Sequence, residues 1–134
     1  MRIIVDTNVL ASGLFYSGVP LQILRGVKRK KYTPVISSDI ANEYKRTIQK
    51  LSVHFPKIDA DEQLQLFVTA SEICEPKPLP RPVCKDPDDD KFIACAVASK
   101  TKIIVSGDKH LLDVSGYQDM KVFKPKQFAD KYLR

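Results

Sequence analysis

Soft metal ligands and long apolar runs are both scarce in this chain. Among 134 residues there are three cysteines, two histidines and no tryptophan. Cys74, Cys84 and Cys95 are odd in number and form no C-x-x-C pair, which argues against a disulfide framework or a zinc site. Buried thiols in a reducing cytoplasm are the expectation. No stretch approaches the roughly 20 apolar residues of a membrane-spanning helix, so no membrane partner is expected. The opening run MRIIVDTNVLASGLF is broken by Asp6 and Asn8, so a signal peptide is not expected either. Internal repeats, a second domain and a low-complexity tail are also missing, which leaves one domain over residues 1–134.

What the chain does have is charge. A hydrophobic share of 43% and a charged share of 28% are ordinary for a globular protein. The net charge of +6 is compatible with a polyanionic partner. Against that balance stands Lys85–Ser99, KDPDDDKFIACAVAS, where Asp86, Asp88, Asp89 and Asp90 run into an apolar helical pattern. Asp86 before Pro87 reads as an N-cap followed by proline at the first helical position. Asp88 and Asp89 then fall in the first turn, where the helix dipole favours negative charge. Capping does not account for Asp90. Ile93, Ala94 and Val97 follow it at i+3, i+4 and i+7, so Asp90 is expected to head the buried stripe. A carboxylate there must be paired, hydrogen-bonded or bound to a metal.

The rest of the chain alternates strands and helices. Arg2–Asp6, RIIVD, reads as a central buried strand closed by the polar Asp6-Thr7-Asn8. Ser17-Gly18-Val19-Pro20 opens a helix that carries Leu21, Ile23, Leu24 and Val27 and ends in Lys28, Arg29, Lys30 and Lys31. Four cations there suit either a helix C-terminus or contact with phosphate. Thr33–Ser37, TPVIS, is a second strand, and Ser37 or Ser38 caps a helix with Ile40, Tyr44, Ile48 and Leu51 on one face. Glu43 lies at the margin of that face and, taken alone, reads as an exposed partner of Lys45 or Arg46. Asp59 and Glu62 resemble a capping box ahead of a helix through Leu64, Phe67 and Val68. Glu72–Glu75 is a weak third strand. Prolines at alternate positions through Pro76–Pro82 predict an extended connection. After the acidic helix come a buried strand, Lys102–Ser106, and Gly107-Asp108. His110–Leu112 suggests a short helical turn, with His110 read as a surface histidine. Lys121–Lys124 is an edge strand, and Pro125 opens a terminal helix with Phe128 and Tyr132.

This alternation predicts an α/β fold with a parallel sheet. Helices run antiparallel to the strands in such folds, so helix N-termini and strand C-termini share one edge. Asp6 and Asp108 follow strands at that edge, Asp90 begins a helix there, and Glu43 is within reach from the second turn of its helix. Carboxylates this close cannot all remain ionised without a cation. All-oxygen ligation suits Mg²⁺ or Mn²⁺.

VDTNVL, SxxIxxEYKR, DPDDDKFIACA and SGD, in this order across the whole chain, resemble the PIN domain family of metal-dependent ribonucleases. The form with DPDDDKF followed by GD is similar to PIN-family toxin components of toxin–antitoxin systems. The resemblance implies a five-stranded parallel sheet of order 3-2-1-4-5 flanked by helices. It also implies an acidic quartet of Asp6, Glu43, Asp90 and Asp108, with Asp6, Asp90 and Asp108 as metal ligands and Asn8 and Ser106 as polar support. Water-mediated help from Asp86 or Asp88 stays open. The implied reaction is cation-assisted hydrolysis of an RNA phosphodiester, with Glu43 as a ligand or as a base orienting water. Lys28, Arg29, Lys30, Lys31, Lys85, Lys91 and Lys109 are the candidate cations for the RNA backbone. No aromatic platform is evident, which points to backbone or structure recognition over base reading. An antitoxin protein and a second copy of the chain are the further partners to be tested. Two alternatives compete. A catalytically idle PIN-like module would bind RNA or protein without turnover. A signalling receiver domain would need a phosphorylatable aspartate after a middle strand, and neither Ser37-Ser38 nor Ile73-Cys74 supplies one.

Overall fold

The computed structural model describes residues 1–133. β1 (Arg2–Val5) is followed by α1 (Thr7–Phe15), α2 (Val19–Lys28), β2 (Thr33–Ile36), α3 (Ser38–Ser52), α4 (Ala60–Thr69) and β3 (Glu72–Ile73). A proline-bearing strap then leads to a 3₁₀ turn at Pro87–Asp89, α5 (Asp90–Ser99), β4 (Ile103–Val105), α6 (Lys109–Leu112), β5 (Lys121–Phe123) and α7 (Pro125–Tyr132). The five strands form one sheet of order 3-2-1-4-5, and every pair is parallel. The expected fold class and strand order are therefore observed.

β1 is central because its residues can be buried on both faces: Ile3, Ile4 and Val5 are fully covered. It pairs with β2 through Arg2 and Ile3 and with β4 through Ile4 and Val5. The chain turns from one half of the sheet to the other between β1 and β4, which makes that junction the topological switch point. Helices cover both faces, and Tyr44, Phe92 and Phe128 are the largest fully buried side chains. The Tyr44 hydroxyl donates to the Val5 carbonyl and so ties α3 to the end of the central strand.

One helix has no counterpart in the sequence pattern. In α1, Thr7, Val9, Leu10, Ala11, Gly13 and Phe15 are all buried, so no polar face marks a 3.6-residue period. Its close approach to α2 depends on Gly13, where a Cβ would lie 2.6 Å from Leu24 Cδ1 and 2.9 Å from the Pro20 carbonyl oxygen. The expected caps at Ser37, Asp59 and Asp86 are present, accepting from the amides of Ile40, Glu62 and Asp88 respectively. The segment after Asp86 departs from the expected α-helix: Pro87–Asp89 is a 3₁₀ turn, and the α-helix begins at Asp90.

The strap from Cys74 to Lys85 is extended, as its prolines predict, and it is tied at both ends. Cys74 donates its amide to the Ile36 carbonyl at 2.8 Å. Glu75 accepts from the Ser38 amide at 3.0 Å and the Ser38 hydroxyl at 2.6 Å. At the far end, Asp90 accepts from the amides of Val83 and Cys84, the latter at 2.7 Å. Of the described helices, none is long and apolar enough to cross a membrane.

Candidate active site

The carboxyl edge of β1 and β4 gathers buried acid. Asp6 follows β1, its backbone amide donates to the Val105 carbonyl at 3.0 Å, and the residue is only 5% exposed. Ser106, fully buried at the end of β4, donates its hydroxyl to Asp6 Oδ2 at 2.7 Å. The same hydroxyl oxygen accepts from the Asp108 amide at 2.9 Å. Ser106 therefore locks the two post-strand turns together. Asp108 in turn caps α6 by accepting from the His110 amide at 2.8 Å. Burial is the main force raising the Asp6 carboxyl to about 6; Asp108 and Glu43 add repulsion, while Ser106 and a Thr7 backbone hydrogen bond oppose it.

Glu43 reaches this group from the second turn of α3. The Thr7 hydroxyl donates to one of its oxygens, and Lys91 Nζ lies 2.8 Å from the other. Its partners are thus Thr7 and Lys91, not Lys45 or Arg46 as the helix pattern alone suggests. Lys91 also meets Asp88 at 3.1 Å, and its side chain is only 12% exposed. This lysine was a candidate for the RNA backbone. The structure places it inside the site, where it neutralises Glu43.

The aspartate run divides differently from the helical count. Asp90 points to the strap, with both oxygens engaged by the Val83 amide and one also by Cys84. Asp89 faces the crevice instead. Its Oδ2 is buried and has no hydrogen-bond partner among the described residues. Desolvation chiefly raises its carboxyl to about 6, with further repulsion from Asp108, Asp86 and Asp6, while His110 acts in the opposite sense. Local winding contributes to this difference in direction, beside the strap amides that hold Asp90. A 3₁₀ turn winds at about 3.0 residues per turn against about 3.6 for an α-helix, which alters the direction of every side chain before Asp90.

His110, expected at the surface, is half-buried with Nδ1 at 3.5 Å from Asp89 and 3.8 Å from Asp108. One potential ligand atom from each of Asp86, Asp89 and His110 falls within 4.8 Å of the others. The sequence signal for His110 was its place two residues after Asp108. That spacing could not show the approach of α5 from a distant segment. Asn8 is exposed in the first turn of α1, and its side chain makes no hydrogen bond to the described residues. Lys85 and Lys109 are exposed beside the acidic group in sequence.

The basic run lies elsewhere. Lys28 ends α2, Arg29 caps it, Lys30 has φ of 59°, and the Lys31 amide donates to the Gly26 carbonyl at 3.0 Å. Thr33 then starts β2, with its amide on the Met1 carbonyl. Lys28–Lys31 therefore sit at the amino edge of the sheet, the opposite side from Asp6 and Asp108.

The donor set suits a divalent cation. Two carboxyls are raised by burial and by repulsion from neighbouring acids, and one buried oxygen has no hydrogen-bond partner among the described residues, so positive charge would relieve both conditions. Oxygen donors predominate, with one imidazole nitrogen at the margin.

Comparison with known proteins agrees with this architecture. A family model described as PIN domain matches residues 2–110. Uncharacterized protein MJ1680 of Methanocaldococcus jannaschii is 32% identical over 146 residues, covering 98% of this chain and 92% of that protein. The crystal structure of VapBC2 from Rickettsia felis bound to a DNA fragment from their promoter includes a chain that superposes with a TM-score of 0.60. The match covers 92% of this chain and 98% of that chain at 12% identity, which establishes a shared fold.

Proposed function

The chain belongs to the PIN domain family, whose members are nucleases, and from that premise we propose that it is an endoribonuclease that uses Mg²⁺ or Mn²⁺ to hydrolyse RNA phosphodiester bonds. The observation that carries this reading is the repulsion that Asp6 and Asp108 exert on Asp89 at the switch point, with a buried Asp89 oxygen left without a hydrogen-bond partner among the described residues. Asp6, Asp89 and Asp108 would hold the cation, with His110 and Asp86 at its margin. Asp90, the third ligand implied by the motif, holds the strap in this reading, and Asp89 takes its place. A cation bound there supplies a water of lowered pKa and offsets charge on the phosphate.

The chain's own groups do the rest. Ser106 orients Asp6 and holds the Asp108 turn, so two ligands from separate loops keep a constant spacing. Glu43, charge-balanced by Lys91 and oriented by Thr7, accepts a proton from the attacking water or positions it. The exposed amide of Asn8 donates to a phosphate oxygen. Lys85 and Lys109 attract the backbone on the flanks.

We place this activity in the cytoplasm, consistent with three free thiols. The further role proposed is that of a toxin held by a cognate antitoxin, or self-associated as a homodimer. Val53, Ile58 and Leu66, exposed around the α3–α4 hairpin, are the apolar surface either partner would cover. The deciding experiment incubates the protein with mixed RNAs in Mg²⁺, Mn²⁺ or EDTA. Cleavage with either ion and none in EDTA is expected. Intact RNA under all three conditions leaves the idle binding module as the better reading.

A further inference from the structure

Beside the acidic group, a cleft of about 580 Å³ runs between α3, the proline strap and α5. Its walls include Arg46 from α3, Lys77 and Arg81 from the strap, and Asp88, Asp90 and Lys91 from α5 and the turn before it. The last three are already committed: Lys91 balances Glu43 and Asp88, and Asp90 is held by strap amides. Arg46, Lys77 and Arg81 make no close ion pair or side-chain hydrogen bond with the described residues, and all three are exposed; Arg46 is near enough to Asp88 to help lower its carboxyl. Asp39 is the one remaining carboxylate on the described walls. The cleft charges without a close ion-pair partner are thus mainly positive, next to a cluster of acids.

The strap is a built wall. Glu75 fastens its start to the N-terminus of α3, and Asp90 fastens its end to the start of α5. Between these clasps, Pro76, Pro78, Pro80 and Pro82 restrict the backbone, so little ordering entropy remains to be lost when a ligand enters. Glu43 and Arg46 are three residues apart on α3 and share a face, so one helix presents both a site carboxylate and a cleft guanidinium.

We infer that this cleft is the track for single-stranded RNA leading to the acidic site, with Arg46, Lys77 and Arg81 binding consecutive phosphates upstream or downstream of the scissile one. The inference rests on the nuclease reading and adds the residues that hold the strand. A cleft of about 580 Å³ is in the range of ordinary ligand pockets, which suits part of one strand. Asp90 acts in this scheme as a positioning residue: it touches no reacting atom and keeps the strap at its distance from α3.

The test measures binding of a labelled single-stranded oligoribonucleotide by fluorescence anisotropy across a salt series, with Ca²⁺ in place of Mg²⁺. Three proteins are compared: wild type, the triple variant Arg46→Ala, Lys77→Ala, Arg81→Ala, and the charge-keeping double variant Arg46→Lys, Arg81→Lys. Removing three phosphate contacts is expected to lower the slope of log K against log salt by about 2, at roughly 0.7 per contact on a single strand. The lysine variant keeps the slope, and duplex RNA of the same sequence competes poorly. A triple variant with the wild-type slope overturns the track while leaving the nuclease reading intact. A wild type that neither binds the oligoribonucleotide nor cleaves it in Mg²⁺ or Mn²⁺ overturns both.

Discussion

The two edges of this sheet carry opposite charge for opposite reasons. At the amino edge, Lys28, Arg29, Lys30 and Lys31 form the densest basic run in the chain, and all four are exposed. There they complement the carbonyl end of α2 and cost nothing to hydrate. At the carboxyl edge, acids are packed where water is scarce, two are pushed up to about 6, and one buried oxygen lacks a hydrogen-bond partner among the described residues. The cations proposed to answer this edge, Arg46 on α3 and Lys77 and Arg81 on the strap, are spaced apart and form no run at all. Charge density along a sequence is therefore a poor guide to an electrostatic site; unrelieved charge in the fold is a better one.

The largest effect should come from the acidic edge. Asp89→Asn is expected to lower cleavage on the order of 10²–10³-fold, the loss typical of one group that stabilises the transition state. It should also abolish any rise in melting temperature caused by Mn²⁺, which in wild type comes from binding to the folded state alone. Asp90→Asn should separate from it. The Mn²⁺-induced shift persists, while KM rises as the strap loosens and kcat changes less. Equal loss of the Mn²⁺ shift in the two variants would return Asp90 to the ligand set.

A second effect is in pH. Asp6 and Asp89 have folded pKa values raised from 3.8 to about 6. The folded state therefore holds these protons more tightly than the unfolded chain. Their contribution to stability is full below about 4 and is lost as pH rises through about 6. The melting temperature of the metal-free protein should fall across this window relative to an Asp6→Asn, Asp89→Asn variant. With Mn²⁺ present the fall should shrink or reverse, because binding competes with the protons. A metal-free profile identical to that of the double variant would mean that burial and repulsion do not raise these two carboxyls.

Smaller effects test the structural roles. Asp86→Ala removes the cap on the 3₁₀ turn and should cost about 1 kcal/mol in chemical denaturation. Most cleavage activity should survive in the folded fraction. Least of all should come from the amino edge: replacing Lys28, Arg29, Lys30 and Lys31 with alanine should leave the salt slope of RNA binding unchanged within error. A fall of a few units, at roughly 0.7 per phosphate contact, would restore that run as an RNA surface.

Much of the fold was legible because its signals are local. Continuous apolar runs marked β1 and β4, serine and aspartate marked the helix starts, and alternate prolines marked the strap. α1 escaped because it is buried nearly all round and therefore has no polar face to set a period. In the site, the post-strand positions of Asp6 and Asp108 could be placed from topology alone, since any residue after a parallel strand lies at the carboxyl edge. Glu43 could be placed near it by its turn of α3, though its partners could not.

The sequence by itself determined which edge would be acidic, because strand direction and helix direction are local properties that the parallel sheet combines in only one way. Only the tertiary structure decided which carboxylates of the run face the crevice. Asp89 and Asp90 are adjacent and identical in type, and helical periodicity favours the second. The amides of Val83 and Cys84, delivered from the far end of the strap, capture Asp90, while Asp89 lies against His110 and feels the charge of Asp108 and Asp6. Lys91 was decided in the same way, by a carboxylate 48 residues away on α3. Side-chain direction at a helix start depends on partners that arrive only when the chain has folded, and no count along the sequence contains them.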